Sequence, residues 1–409
     1  MLAMKNCWPL LAVALCAHAH AAGPKAEVMH WWTSGSESAA VRTLADSYRA
    51  SGGVWIDTAV AGSELARSVV ISRIIGGTAP TAAQFNTSTQ FRDLVDEGLL
   101  ANVDALAARE QWDTRLPAAL RDVIKIKGHF YALPVDIHMP GWIWYSKAAF
   151  RKAGITAEPA TIEQLFAALD KLKAAGLIPL AHGGQAWQEH LIFMRMLADV
   201  GGKELYLRVL QQRDPQAINS EAFKKVLLTF KRLQSYVDPA SPGRNWNDAT
   251  ALLISGRAGI QINGDWAKGE FTAARQQPGR DFGCLPGIGP KALYLIQGDV
   301  FVFPKSSNAA TLAAQRLIAD VVVAPANQIA FNRLKGSIPV RSDLDTTALD
   351  ACSRLGVEVM KDKSRQAGFG EVYLTPDQNG ALFDVLTAYW NTRMPVEKAQ
   401  ASIVAALRR

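Results

Sequence analysis

Strand-like runs alternate with helical patterns at the start of this chain, and this alternation constrains the fold more than any other feature. The runs EVMHWW (27–32), VWIDTAV (54–60) and TAAQFN (81–86) read as strands. Between them lie two stretches whose apolar residues repeat at helical spacing, and each stretch ends at a Gly-Gly pair. This order predicts an α/β protein built around parallel sheets.

The length and the later part of the sequence predict two domains. A chain of 409 residues is longer than one hydrophobic core usually serves. Helical patterns dominate residues 161–236, whereas extended stretches with proline or glycine occur at residues 134–140, 282–307 and 337–345. We expect these three stretches to be the places where the chain crosses between the domains.

The distribution of charge argues against nucleic acid as a partner. The formal net charge is +7, from 44 basic and 37 acidic residues, and the lysines and arginines are scattered along the chain. Proteins that bind nucleic acid concentrate their basic residues in a patch or stripe. We therefore expect no nucleic-acid function.

Residues 1–22 have the features of a secretory signal peptide. Lys5 lies in a short leading segment, an apolar run follows, and small residues come next. The run is too short to span a bilayer about 30 Å thick. Lipid attachment at Cys16 is disfavoured, because Leu15 is bulky where that modification needs a small residue. We expect export to the periplasm.

Cys284 and Cys352 are the cysteines that remain after the signal peptide, and neither lies in a CxxC spacing. The sequence therefore offers no framework for a metal or a redox centre, and we expect neither a metal nor a cofactor. In an oxidising compartment the two cysteines could form a disulfide. Two buried free thiols are the alternative, and the sequence leaves both open.

The stretch WWTSGSES contains the groups that a sugar site needs. A pyranose has apolar faces and a rim of hydroxyls, so its site needs flat aromatic surfaces and surrounding polar groups. Trp31 and Trp32 are adjacent on a strand-like run and point in opposite directions, so one can stack on a ligand while the other packs behind it. Glu37 can accept hydrogen bonds from two hydroxyls. In the alternative, both tryptophans belong to the core and Glu37 only caps a helix.

Six stretches in a fixed order carry a resemblance to a known family. They are WWTSGSES, VAGSELARSVVISRIIGGTAPTAAQF, DLVDEGLLANVDALA, YALPVDIHMPGWIWYSKAAFRKAGI, GIQINGDWAKGEF and FNRLKGSIPVRSDLD. With these stretches the chain resembles the periplasmic solute-binding proteins of carbohydrate ABC transporters, and among them the glucose- and mannose-binding subgroup. The resemblance covers nearly all of the chain after the signal peptide.

The resemblance implies an α/β, two-lobed periplasmic-binding-protein fold of type II, like that of maltose-binding protein, with three hinge crossings. The N-terminal lobe would comprise residues 23–137 and 294–338, and the C-terminal lobe residues 138–293 and 339–409. A monosaccharide or small oligosaccharide would bind between the lobes with high affinity. The protein would be a monomer without catalytic activity that delivers the sugar to inner-membrane permease subunits and their ATPase.

The resemblance also implies roles for individual residues. Trp266 would cover the opposite face of the sugar, Asp299 would accept from sugar hydroxyls, and Lys335 would donate to them and balance the acidic charge. His138 and Trp187 are weaker candidates, with a structural role favoured for His138. The predicted substrate-binding set is Trp31, Trp32, Glu37, Asn86, Trp266, Asp299 and Lys335.

Two positions depart from the glucose-binding members of the subgroup. Asn86 stands where those members carry a lysine, and Ala367, Gly368 and Phe369 occupy a late loop where they have a histidine. Both changes remove polar contacts from the predicted rim, and unpaired polar groups decide which analogue a site rejects. We therefore expect a best ligand other than glucose, such as a larger sugar, another epimer or a sugar that lacks a hydroxyl.

Two other functions remain as alternatives. A secreted glycosidase would use two carboxylates, and Glu37 and Asp299 could fill that role. Against an enzyme, the motifs GxSxG, HExxH and GxxxxGK[ST] do not occur in the sequence. A sugar sensor for a chemoreceptor would use the same binding site as a transport protein, so the sequence does not separate these two uses.

Overall fold

The computed structural model describes residues 23–409, and the predicted signal peptide lies outside the described residues. The strands, in chain order, are β1 Lys25–His30, β2 Val54–Ala59, β3 Ala82–Asn86, β4 Lys125–Ile126, β5 His129–Phe130, β6 Ala132–Pro134, β7 Trp142–Ser146, β8 Ile178–Leu180, β9 Ala258–Asn263, β10 Phe282–Leu285, β11 Tyr294–Ile296, β12 Asp299–Val302 and β13 Gln366–Gly368.

The helices, in chain order, are α1 Gly35–Ala50, α2 Ser63–Ile75, α3 Arg92–Asp96, α4 Asp104–Arg109, α5 Trp112–Arg115, α6 Ala118–Ile124, α7 Lys147–Lys152, α8 Ile162–Ala174, α9 Ala186–Leu210, α10 Pro215–Ile218, α11 Glu221–Gln234, α12 Trp246–Ile254, α13 Trp266–Ala273, α14 Ala309–Val323, α15 Pro325–Lys335, α16 Ala351–Lys361, α17 Pro376–Asn391 and α18 Val396–Leu407.

The first lobe is built on a five-stranded sheet in the order β2-β1-β3-β12-β6. Strand β1 pairs in parallel with β2 and β3, as the pattern at the start of the sequence predicts. Strand β12 arrives from far along the chain and pairs antiparallel with β3, so that Asp299 lies opposite Asn86. The carboxyl end of β3 and the start of β12 therefore meet at one edge, which borders the site described below.

The second lobe is built on a four-stranded sheet in the order β10-β7-β9-β8. Strands β7 and β9 are buried along their whole length, with helices packed against β9. The expectation of parallel pairing is wrong for most of this sheet, because β7 pairs antiparallel with both β9 and β10. That expectation rested on the pattern at the start of the chain, which forms the other lobe.

Three chain segments run side by side between the two sheets. Ile137 forms an antiparallel bridge with Ile338, and His138 forms one with Gln297. The fold is therefore the two-lobed α/β fold with three hinge crossings. Strand β11 pairs with β13, and the hydroxyl of Tyr206 in α9 donates to the backbone oxygen of Gly368 in β13.

Helix α13 of the second lobe packs directly on α1 and α15 of the first. Two glycines permit this close approach. A Cβ at Gly269 would lie 2.8 Å from the backbone oxygen of Lys335, and one at Gly336 would lie 2.1 Å from that of Asp265. Gly336 also ends α15 with a φ of 102°, which favours glycine. The contact brings Trp266 and Lys335 together where the lobes meet.

A disulfide joins Cys284 to Cys352, with their Cα atoms 6.1 Å apart. It connects β10 to the start of α16 within the second lobe. Of the two alternatives that the sequence leaves open for these cysteines, the structure has the disulfide.

Within residues 23–409, no single helix is long and apolar enough to cross a membrane. Helices α14 and α15 reach that length and composition only as a pair, and they are bent by 72° relative to each other.

Candidate functional site

A cavity of about 610 Å³ lies between the lobes, beside the hinge crossings and the carboxyl end of β3. Side chains from both lobes border it, including the two weaker candidates, His138 and Trp187. Most of the predicted substrate-binding set also lies on its wall, namely Trp31, Glu37, Asn86, Trp266, Asp299 and Lys335.

The adjacent tryptophans have different environments. Trp31 is half-buried and borders the cavity, and the guanidinium carbon of Arg67 lies 5.8 Å from its ring centroid. Trp32 is only 1% exposed and packs edge-on against Phe301 and Phe331, so it lies behind the cavity wall. Successive side chains of an extended chain point in opposite directions, so the two tryptophans are separated. In this geometry Trp32 does not reach a ligand in the cavity.

Asp299 is a buried carboxylate whose two oxygens are already engaged. Oδ1 accepts from the side-chain amides of Gln84 at 2.9 Å and Asn86 at 3.1 Å. Oδ2 accepts from the indole N–H of Trp32 at 3.1 Å and lies 2.7 Å from Nε2 of His138. Burial raises the pKa of Asp299, but His138, Lys335 and the hydrogen bond from Gln84 together outweigh burial and bring it below its ordinary value.

His138 joins the two lobes through buried ionic hydrogen bonds. Its Nε2 lies 2.7 Å from Asp299 of the first lobe, and its Nδ1 lies 2.7 Å from Asp265 at the start of α13. Burial opposes protonation, but the nearby carboxylates outweigh burial and raise the pKa of His138 well above its ordinary value. A protonated imidazole donates from both nitrogens, so it satisfies both carboxylates.

Asp136 completes this buried cluster. Its Oδ1 accepts from the backbone N–H of Asp299 at 2.8 Å and lies 3.3 Å from Nε2 of His138. Ligand atoms of Asp136, His138 and Asp299 lie within 4.8 Å of one another, a spacing that a metal ion could use. Burial raises the pKa of Asp136, and the carboxylates around His138 raise the pKa of that imidazole, which favours its protonated form beside them.

Glu37 and Lys335 form a buried ion pair on the cavity wall. Lys335 Nζ donates to Glu37 Oε1 at 3.0 Å, and the two residues are 2% and 7% exposed. The other oxygen of Glu37 accepts from the backbone N–H of Ser34 in the capping box that begins α1. Burial lowers the pKa of Lys335, but Glu37 and Asp299 outweigh burial and raise it. Glu37 is therefore both a helix cap and a site group.

Trp266 forms the part of the wall that α13 contributes. Its ring meets those of His138 and Trp187 edge-on at centroid distances of 5.4 Å and 5.9 Å. Lys335 Nζ lies 5.5 Å from its centroid, within cation–π range. The half-buried Trp266 and Trp187 give the second lobe an aromatic surface facing the polar groups of the first lobe.

Several cavity residues were not predicted from the sequence. Glu371 accepts from the side-chain amides of Gln297 at 3.1 Å and Gln90 at 3.4 Å. Arg67 and the buried His190 border the same region. Glu371 lies two residues after Phe369 in the late loop, so this loop supplies a carboxylate although it lacks the histidine of the resembling proteins. No local pattern in the sequence marks Glu371 as a site residue.

Taken together, the wall offers aromatic faces, a compensated set of charges and amide groups with free acceptors. Glu37 pairs with Lys335 and Asp299 pairs with His138, so the charges of these four cavity residues are compensated. Such a surface suits a neutral molecule that has flat apolar faces and many hydroxyls.

The chain matches a family model over a large part of its length. Residues 51–328 match the model described as bacterial extracellular solute-binding protein. A probable sugar-binding periplasmic protein of Rhizobium meliloti (strain 1021) is 39% identical over 403 residues, which cover 97% of this chain and 96% of the relative. A protein of the same description from Brucella suis biovar 1 is 38% identical over 93% of this chain and 91% of its own length.

Solved structures share the fold at lower identity. The bacterial solute receptor AcbH, described as having an exclusive preference for β-D-galactopyranose, superposes with a TM-score of 0.80 at 21% identity, covering 94% of this chain and 98% of the receptor. Maltose-bound MalE3 of T. maritima superposes with a TM-score of 0.76 at 18% identity, covering 94% and 99% of the two chains. These likenesses concern the fold.

Proposed function

The chain belongs to the bacterial extracellular solute-binding protein family, and we propose that its cleft captures a sugar outside the cytoplasm for an ABC importer. The names of the relatives, which are probable sugar-binding periplasmic proteins, support the class of ligand. The observation that carries the proposal is the cavity between the lobes, where Trp31 and Trp266 border the same space as Glu37, Asn86 and Lys335.

Each of these groups has a role that follows from its chemistry. The rings of Trp31 and Trp266 stack on the apolar faces of a pyranose. Lys335 donates to hydroxyl oxygens, and Glu37 accepts from hydroxyl protons through charge-assisted bonds. Asn86 donates its N–H to Asp299, so its carbonyl oxygen remains to accept from the ligand.

The role of Asp299 is indirect in this proposal. Four side chains already donate to its oxygens, so few of its lone pairs remain for a sugar hydroxyl. Asp299 instead fixes the positions of Asn86 and His138. Trp32 lies behind the cavity wall and holds Asp299 in place through its indole N–H.

The protein is a binding protein rather than an enzyme. A glycosidase needs a carboxylic acid that holds a proton at working pH. Glu37 is ion-paired with Lys335, and the pKa of Asp299 is lowered, so the two carboxylates considered for that role are not arranged to supply a proton. The family and the relatives are also named for binding.

Capture is proposed to work by closure of the lobes. A ligand that contacts groups of both lobes favours the arrangement in which the lobes approach, and the three crossings are the places where the chain can bend. The closed form would then dock on the permease subunits of the importer. Residues 1–22 are proposed to direct export to the periplasm, and the protein is proposed to act as a monomer.

Glucose is not the ligand that we propose. Asn86 provides a neutral amide where the glucose-binding proteins carry a lysine, and Phe369, which is 1% exposed, stands in the loop that carries their histidine. These two substitutions change the hydrogen bonds available to a hexose rim.

A thermal-shift screen of saccharides with the purified protein tests the proposal. A ligand that binds only the native state raises the melting temperature, by an amount that grows with its concentration above Kd. We expect at least one neutral saccharide to raise it, and much less response from Glu37→Ala than from the exposed-lysine control Lys363→Ala. Absence of a shift with every saccharide would contradict the proposed function.

A further inference from the structure

The far end of the cavity contains a second group of polar side chains, separate from the groups around Trp266. Glu371, at the end of the late loop, accepts from Gln297 Nε2 at 3.1 Å and from Gln90 Nε2 at 3.4 Å. Gln90 belongs to the first lobe and Glu371 to the second, so this group also spans the cleft. All three residues border the cavity.

Several buried polar atoms in this group are unpaired. Within the described chain, Gln90 Oε1, His190 Nε2 and Asn379 Oδ1 are buried and have no hydrogen-bond partner. His190 is 1% exposed, and burial lowers its pKa to about 3, so its ring is neutral and can donate or accept. Three unpaired atoms at one end of one cavity are costly unless a ligand pairs with them.

Aromatic surface lies beside these polar atoms. The half-buried ring of Phe383 borders the cavity and lies 4.2 Å from the ring of His190, and Phe369 lies 5.4 Å from His190 on another side. The second group therefore repeats the combination found around Trp266, with a flat apolar face next to hydrogen-bonding groups.

The two groups are linked through one extended segment. Gln297 and Asp299 lie two residues apart on an extended segment, so their side chains lie on one face about 7 Å apart. Asp299 holds the first group and Gln297 holds Glu371 of the second. Clefts that hold ligands larger than a single sugar ring, of the size of drugs, have volumes of about 300–1,000 Å³. The cavity of about 610 Å³ has room for a second ring.

We propose that the cleft has two adjoining sugar subsites and that the ligand is a disaccharide or a longer saccharide. The first ring lies between Trp31, Glu37, Lys335 and Trp266. The second ring lies against Phe383, where Glu371 and His190 contact its hydroxyls. This inference rests on the proposed function, since it specifies the class of sugar that the same cleft takes.

Calorimetric titration with matched sugars tests the second subsite. The probes are D-glucose, D-galactose, D-mannose and D-fructose, and the disaccharides maltose, cellobiose, trehalose, lactose and sucrose. We expect at least one disaccharide to bind at least tenfold tighter than its own monosaccharides, because its second ring gains contacts. If a monosaccharide binds at least as tightly as every disaccharide, the second subsite is wrong while the proposed function stands. If no saccharide binds, the proposed function itself fails.

Substitutions at the far end separate the two subsites. Glu371→Gln keeps the shape of the side chain, and we expect it to weaken the disaccharide at least tenfold and the monosaccharide less than twofold. Gln90→Ala, in the first lobe, should also weaken the disaccharide more than the monosaccharide. It replaces Glu371→Gln as the test variant if Glu371→Gln lowers the melting temperature. Asp377→Asn, an exposed carboxylate in the first turn of α17, is the matched control. Equal weakening of monosaccharide and disaccharide by both cavity variants would overturn the proposal.

Discussion

The indole N–H of Trp32 donates to Oδ2 of Asp299 at 3.1 Å, across 267 positions of sequence. Both residues are almost completely buried. The bond fixes one oxygen of a carboxylate whose other oxygen holds Asn86 on the cavity wall. Trp32 therefore affects the site by orienting the groups that border it.

Replacing Trp32 by phenylalanine should cost stability first and affinity second. The variant keeps much of the ring packing but removes a donor to a buried carboxylate, and we expect a loss of about 2 kcal/mol in the free energy of unfolding. Trp31→Phe should cost less than about 0.5 kcal/mol, because Trp31 is half-buried at the cavity. Urea unfolding of the two variants measures this difference. Equal losses would contradict the assignment of Trp32 to the core.

The Glu37–Lys335 pair should show strong coupling. Removing one partner leaves a buried charge without its counterpart, so Glu37→Gln and Lys335→Met should each cost about 3 kcal/mol. The double variant should be more stable than the sum of the two losses implies, with a coupling of at least about 1 kcal/mol. A double-mutant cycle by urea unfolding measures the coupling, and additive losses would count against the pair.

The sequence indicated the main groups of the site. It did not indicate which of them face the cavity and which bond to one another. Adjacent tryptophans on an extended chain were expected to point in opposite directions, and the structure has this arrangement. Which one would face the cavity depends on Phe301 and Phe331, which come from distant segments. Asp299 was expected to accept from the ligand, but its four partner side chains come from three separate segments, and no local pattern reveals that its oxygens are engaged.

The sequence predicted the fold more completely than it predicted the residues at the far end of the cleft. The alternation at residues 27–86 predicted the parallel strands of the first lobe, since hydrophobic periodicity and glycine stops are local signals. Glu371 and His190 carried no such signal. A carboxylate in a loop and a histidine in a helix are common on protein surfaces, and only tertiary packing brings these two to one cavity.

Two buried histidines should make the protein lose stability in mild acid. Burial lowers the pKa of His190 to about 3 and that of His182 to about 4. The unfolded chain binds protons at these sites near pH 6.5, whereas the folded chain does not, so the free energy of unfolding falls as pH falls below about 6.5. Each histidine contributes up to about 1.4 kcal/mol per pH unit. His138 adds nothing to this slope well below pH 6.5, because it holds its proton in both states.

The variant His190→Asn isolates this effect from the carboxylates that also titrate in acid. Between pH 6 and pH 4.5, its stability should fall less steeply than that of the unchanged protein, by up to about 1.4 kcal/mol per pH unit. Urea unfolding at several pH values gives both slopes. Identical slopes would mean that His190 binds its proton as readily in the folded state as in the unfolded chain.

Loss of the disulfide should affect stability without affecting the cleft. Cys284 and Cys352 are separated by 68 positions, and closing a loop of that length contributes about 4 kcal/mol in the chain-entropy model. We expect Cys284→Ser/Cys352→Ser to lower the free energy of unfolding by about 2–4 kcal/mol, with the affinity for sugar changed less than twofold. A large loss of affinity at a temperature where the variant is folded would show that the disulfide shapes the site.

The most direct test of a sugar site between the lobes is calorimetric titration of the unchanged protein beside Trp266→Ala, using the saccharide that stabilises the unchanged protein most. The account predicts one saccharide bound per chain with a Kd of about 1 μM or lower. It also predicts affinity at least 100-fold weaker in Trp266→Ala, which removes a stacking face but leaves the first lobe unchanged. Equal affinity in the two proteins would contradict a site shared by both lobes.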